Sequence, residues 1–181
     1  MVEKPYSPTQ KSLPRYQTKE VITNILDKAK KDRYRNYILL LILWRTGLRV
    51  SEVVKLEKRD IIEGNLLVRL GKGKKDRVVP LESELDTLLL GYIDAMKSRD
   101  KLFKFSDRQV RNVVKKYTPD ELKKDIHPHT FRHSFAVYCL KNGMNLRTLQ
   151  KILGHSSLTT TQKYLDIVGQ DITDDFKKVV W

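Results

Sequence analysis

Eight consecutive apolar residues, YILLLILW from Tyr37 to Trp44, set the first constraint on this chain. The run is far short of the ~20 residues that a membrane-spanning helix requires, and arginines flank it. It predicts instead a helix, RNYILLLILWRT, buried in the core and forced to stop or bend at Gly47. The rest of the chain must supply surfaces that cover it. Ahead of it, TKEVITNILDKAKK offers Thr18 as an N-cap and places Val21, Ile22, Ile25 and Leu26 on one helical face. After Gly47, LRVSEVVKL resumes helical spacing and sets Arg49 near a helix start, where its side chain can project into a cleft.

The pattern then changes. Leu66 to Leu70 and Arg77 to Leu81 are short β-rich runs separated by the lysine-rich turn GKGKKD, the one clear hairpin in the sequence. That turn lacks the spacing and the strand-to-helix context of a phosphate-cradling loop, but a basic finger can reach a nucleic-acid groove. Downstream, LESELDTLLLGYIDAM, SDRQVRNVVKKY, HTFRHSFAVYCLKN, NLRTLQKIL and LTTTQKYLDIV read as helices, with Gly143 and Gly154 as C-terminal caps. At 181 residues, 40% of them apolar, the chain is sized for one domain with an ordinary core. The expected class is mainly α with a small antiparallel β-sheet (α+β).

Charge bounds the partner. Lys and Arg number 36 against 22 Asp and Glu, a formal charge of +14, which points to a polyanion and most often to nucleic acid. The single cysteine, Cys139, excludes an internal disulfide and a multi-cysteine zinc site, and its apolar run SFAVYCL places it in the core. The first 17 residues are polar, contain three prolines and have no apolar signal core, so they read as a basic arm or linker. An intracellular, cytoplasmic protein without membrane spans is expected.

The stretch DIHPHTFRHS carries three of the four histidines around Arg132. His129 and His133 stand four apart, a spacing that could put two metal ligands on one helical face. The further ligands are missing, since Thr130 follows the first histidine and no cysteine or carboxylate cluster lies nearby. The other reading is an anion site. His129 and Arg132 are helical neighbours close to the positive helix start after Pro128, and a guanidinium beside an imidazole suits a phosphodiester. His133 points about a third of a turn away, which favours a packed or surface role, and His127 precedes the helix.

At this level of detail the chain resembles a known family, the tyrosine recombinases or phage-type integrases, and especially their Xer-like branch. TGLRVSEVVKL resembles the family's first arginine box, GKGKKDRVVPL its lysine hairpin, HPHTFRHSFA its H-x-x-R box, and LGHSSLTTTQKYL its Gly-His and nucleophile box. The four occur in the family's order and approximate spacing. The resemblance implies the tyrosine recombinase catalytic-domain fold over residues 18–168, with a tail at 169–181 that could exchange between subunits or pack back on its own domain. It implies that Arg49 and Arg132 clamp the scissile phosphate, that Lys72 protonates the leaving oxygen, that His129 does acid/base work and that His155 hydrogen-bonds the phosphate. Tyr164 would be the nucleophile, forming a 3′-phosphotyrosyl link that a hydroxyl of another strand attacks, with no metal, ATP or other cofactor. Around the hairpin, Lys74, Lys75 and Arg77, and further on Arg147, are candidates for DNA contacts. The implied partners are double-stranded DNA, Holliday-junction-like intermediates and further copies of the chain in a tetramer.

Full-length members of the family usually carry an N-terminal core-binding domain, for which the 48 residues before Arg49 leave no room, so the expectation is either a catalytic fragment or a naturally minimal recombinase without that clamp. Two rival readings remain at this stage. NLRTLQKILGHSSLTTTQKYL imitates a helix-turn-helix of a non-catalytic DNA-binding protein, which has no use for Arg49, the lysine hairpin or His129 with Arg132. A type IB topoisomerase shares the chemistry, although the Xer-like form of the boxes argues against it.

Overall fold

The computed structural model describes residues 15–69, 76–155, 157 and 161–165. Thr18 caps the first helix, α1 (Lys19–Asp32), whose Ile22, Ile25, Leu26 and Ala29 form its buried stripe. The second, α2 (Tyr34–Thr46), is covered on all sides: every residue from Asn36 to Trp44 is buried, and Ile38, Leu39, Leu40, Ile42 and Leu43 have no exposed surface at all. Such a helix can exist only inside other elements. It packs on α1, on α4 (Ser83–Ile93) and on α6 (Pro128–Lys141). Among the described residues no helix is long and apolar enough to cross a membrane.

Gly47 ends α2 in the left-handed conformation, with φ of +63°. A Cβ there would fall 2.5 Å from Phe135 Cδ1 and 2.9 Å from Leu153 Cδ2, so both the backbone angle and the space demand glycine. The chain thus turns within three residues into the short helix α3 (Val50–Val53), with Arg49 at its start.

The sheet has one strand more than the hairpin pattern announces. β2 (Asn65–Val68) pairs with β3 (Arg77–Pro80) in the expected antiparallel register, Leu66 opposite Val79 and Val68 opposite Arg77. On its other side β2 pairs with β1 (Ile61–Ile62) through the two-residue turn Glu63–Gly64, both of positive φ. Leu66, Val68 and Val79 face the core while Val78 faces solvent, the alternation of a half-buried sheet.

Local capping explains where the later helices begin. Glu82 accepts from the amides of Glu84 and Leu85 ahead of α4. Ser106 and Gln109 exchange bonds at the start of α5 (Asp107–Tyr117), with Gln109 N donating to Ser106 Oγ and Ser106 N donating to Gln109 Oε1. Pro128 opens α6, and Asn145 caps α7 (Leu146–Leu153), which ends at the left-handed Gly154. Tyr117 ties α5 to the first two helices, donating to Asp32 and accepting from Asn36. Cys139 is partly buried and its thiol is pushed up to about 12 by burial, in keeping with a packing role. The predicted helix LTTTQKYLDIV is described only at Thr161–Leu165; its other residues lie outside the described residues.

Gly47→Ala is expected to lower the unfolding free energy by about 2–4 kcal/mol, from left-handed backbone strain plus overpacking against Phe135. Urea denaturation followed by tryptophan fluorescence measures it, and an unchanged midpoint would contradict the contact.

Candidate active site

The turn after α2, the start of β3, one face of α6, the C-terminal end of α7 and the segment Thr161–Leu165 converge. At their centre Arg132, on α6, is 3% exposed. Its NH1 donates to Gly47 O at 2.6 Å and its NH2 to Leu153 O at 2.7 Å. Both acceptors are carbonyls that their own helices leave unused, and Leu153 stands at the negative end of α7. Burial, followed by the nearby Arg49 guanidinium, lowers the Arg132 pKa to about 10, so the group stays charged at neutral pH.

Arg132 NH2 also lies 2.9 Å from His155 Nε2. Since a guanidinium only donates, Nε2 is the acceptor and the ring proton sits on Nδ1, where it reaches Thr161 Oγ1 at 2.9 Å. Burial, then Arg132, Arg49 and Arg77, hold the His155 pKa down to about 4, consistent with that neutral tautomer.

Arg49 approaches the same point. Its NH1 donates to Glu52 Oε1 at 3.1 Å and reaches Leu153 O at 3.5 Å, so two guanidinium groups meet at one carbonyl. More than a third of the Arg49 side chain stays open to solvent, in contrast to Arg132. Glu52, 6% exposed, organises this side of the site. It accepts from the Arg49 amide at 2.8 Å and from both terminal nitrogens of Arg77 at 2.9 Å. Burial alone would raise its pKa; the Arg77 hydrogen bonds, the Arg49 amide and the two guanidinium charges outweigh it and hold the carboxylate below its ordinary value. Arg77 is turned inward rather than toward solvent, with its Nε bonded to Ile152 O at 2.7 Å.

Tyr164 is 2% exposed, and its Oη lies 2.7 Å from His133 Nδ1. Burial raises its pKa, while Arg132 and Arg49 pull the other way. His129 lies at the surface of α6, its ring 6.3 Å from that of His133. Partial desolvation, then Arg132, Arg49 and Arg111, lower its pKa. It borders a cleft whose lining includes Arg111, Lys115 and Lys123. Arg147 is exposed at the start of α7, away from these bonds. Lys72, Lys74 and Lys75 lie outside the described residues. Among the described residues no three His, Cys, Asp or Glu side chains are grouped as a metal site.

Two members of this arrangement are absent from the sequence expectations. Glu52 carried a signal, the R-x-x-E spacing of a capping box across the start of α3. The pairing of His133 with Tyr164 carried none, because it joins residues 31 apart in sequence through tertiary packing.

Comparison with known proteins identifies the family and the fold. A tyrosine recombinase of Pseudothermotoga lettingae is 39% identical over 180 residues, covering 94% of this chain and 63% of the relative, so the chain spans less than two thirds of that protein's length. The crystal structure of XerA recombinase superposes with a TM-score of 0.78 at 29% identity, covering 95% of this chain and 68% of the other. The XerH site-specific recombinase, in a pre-cleavage complex with its difH substrate, matches with a TM-score of 0.70 at 26% identity over 88% of this chain and 52% of its own. The fold is that of the tyrosine recombinase catalytic domains, as the four motifs imply. The phage integrase family model matches residues 15–170, and the chain belongs to that family.

Proposed function

We propose that this chain is the catalytic domain of a site-specific DNA recombinase that cuts and rejoins strands through a covalent bond between Tyr164 and a 3′-phosphate. The observation that carries the reading is the charge balance of the cluster. Three guanidinium groups, Arg49, Arg77 and Arg132, gather around the single carboxylate Glu52, and two of them meet at Leu153 O. A phosphodiester entering beside Arg49 and Arg132 supplies the missing negative charge. It gains most in the transition state, where charge builds on the nonbridging oxygens.

Each side chain then has a task. Arg132 and Arg49 grip the phosphate. A phosphate oxygen takes the place of His155 Nε2 as an acceptor for Arg132 and raises the proton affinity of that ring, which turns Nε2 into a donor. Glu52 and Arg77 orient Arg49 rather than touch DNA. Tyr164 Oη attacks phosphorus and gives up its proton, which His129 passes to solvent; the bond to the 5′ oxygen breaks, and that oxygen takes a proton from Lys72. The phosphotyrosyl ester keeps the energy of the broken bond, so a hydroxyl of another strand can displace Tyr164 without ATP. In this reading the cleft beside His129, with Arg111, Lys115 and Lys123 in its lining, receives the DNA backbone, with Lys74, Lys75 and Arg147 as further contacts. Exchange between two duplexes passes through a Holliday-junction-like intermediate and uses four copies of the chain.

A pool of suicide duplexes with randomised sequence, incubated in EDTA and captured as SDS-resistant protein–DNA adducts, tests this reading and finds the site together. The wild-type chain is expected to yield adducts and Tyr164→Phe none; adducts from the mutant, or adducts only with divalent metal, would overturn it. Glu52→Gln is expected to lower the single-turnover cleavage rate by about 10–100-fold and the unfolding free energy by about 3 kcal/mol, because two guanidinium groups lose a buried partner. Quench-flow cleavage and denaturant titration measure the two effects.

A further inference from the structure

One side chain holds the far end of Tyr164. The Tyr164 and His133 rings are tilted at 52° with centroids 5.7 Å apart, and Oη meets Nδ1 at 2.7 Å. The direction of the bond follows from burial. Among the described residues Oη has no second hydrogen-bond partner, and a phenol hydrogen left without an acceptor in a site 2% exposed is costly. The phenol therefore donates, Nδ1 accepts, and the His133 ring proton sits on Nε2.

His133 follows Arg132 directly on α6, so the turn of helix that carries the buried guanidinium also carries the partner of the phenol. A second tie runs through His155, which accepts from Arg132 and donates to the fully buried Thr161, three residues before Tyr164. The tyrosine is thus referenced to the phosphate clamp by two routes, both ending in an imidazole.

We propose that His133 is a positioning residue for the nucleophile: by accepting the Tyr164 hydroxyl hydrogen it fixes the oxygen and its lone pairs relative to Arg132, and so sets how fast a bound phosphodiester is attacked. This goes beyond the four motifs, in which His129 and His155 are the histidines given roles, and it rests on the strand-cleavage reading above. Burial first, then His129 and Arg132 on the same helix, keep the His133 pKa down to about 4. With Tyr164 facing it from the last segment, the ring is a neutral acceptor at neutral pH.

His133→Ala removes the acceptor, and His133→Asn places an amide oxygen close to the position of Nδ1. With DNA saturating, His133→Ala is expected to slow single-turnover cleavage about 100-fold. Its DNA Kd should stay within about twofold of wild type, since the loss is confined to the reacting geometry. His133→Asn should recover cleavage to within about tenfold of wild type, the cost of an imperfect hydrogen bond. A second readout needs no cleavage: acetylation of Tyr164 by N-acetylimidazole, mapped by mass spectrometry, should be slow in wild type and His133→Asn and at least about tenfold faster in His133→Ala. Cleavage by His133→Ala at or above the wild-type rate, equal protection of Tyr164 in all three proteins, or equal impairment of the two variants would overturn the proposal. If wild type forms no adduct at all, the strand-cleavage reading fails, and the acetylation rates still decide whether His133 docks the tyrosine.

Discussion

The Arg132 guanidinium is the interaction on which the rest of the site depends. A charge buried this deeply is tolerated only if its donors are satisfied, and here they reach the carbonyls of Gly47 and Leu153 and the ring of His155. Those three partners come from the end of α2, the end of α7 and the residue after its cap. Satisfying one side chain therefore brings α6 and two otherwise separate chain segments to a common point, and the glycine at position 47 lets Phe135 and Leu153 close over the turn that supplies the first carbonyl.

Around that centre the positive charge is left in surplus on purpose of geometry rather than neutralised. Glu52 is saturated by Arg77 and by Arg49, so its single negative charge orients the cluster without cancelling it. The contrast between the two clamp arginines follows: Arg132 is enclosed and fixed, whereas Arg49 retains an open side toward solvent. Burial first, and neighbouring positive charge second, hold His129, His133 and His155 below their ordinary pKa, and the hydrogen bonds of His133 and His155 give those two neutral rings defined donor and acceptor sides.

Much of this was legible before any coordinates. The apolar run from Tyr37 to Trp44 required a buried central helix, and Thr18, Ser106 and Pro128 marked helix starts that the structure reproduces. Less legible was β1, because a two-residue strand is too short to show alternation and is identified only by the partner that pairs with it. Arg77 illustrates a different limit: a basic residue beside a lysine-rich turn looks like a surface contact, yet its guanidinium lies between Glu52 and Ile152, neither of them near it in sequence.

The sequence by itself determined the helical class, the core helix and the order of the residue boxes that mark the family, because these depend on periodicity, capping and local residue type. Tertiary structure alone decided which nitrogen of His155 carries the proton, that Glu52 binds Arg77, and that Tyr164 rests on His133. Each of these depends on hydrogen bonds between segments tens of residues apart, whose geometry is set by how the helices pack around α2 and leaves no trace in local pattern.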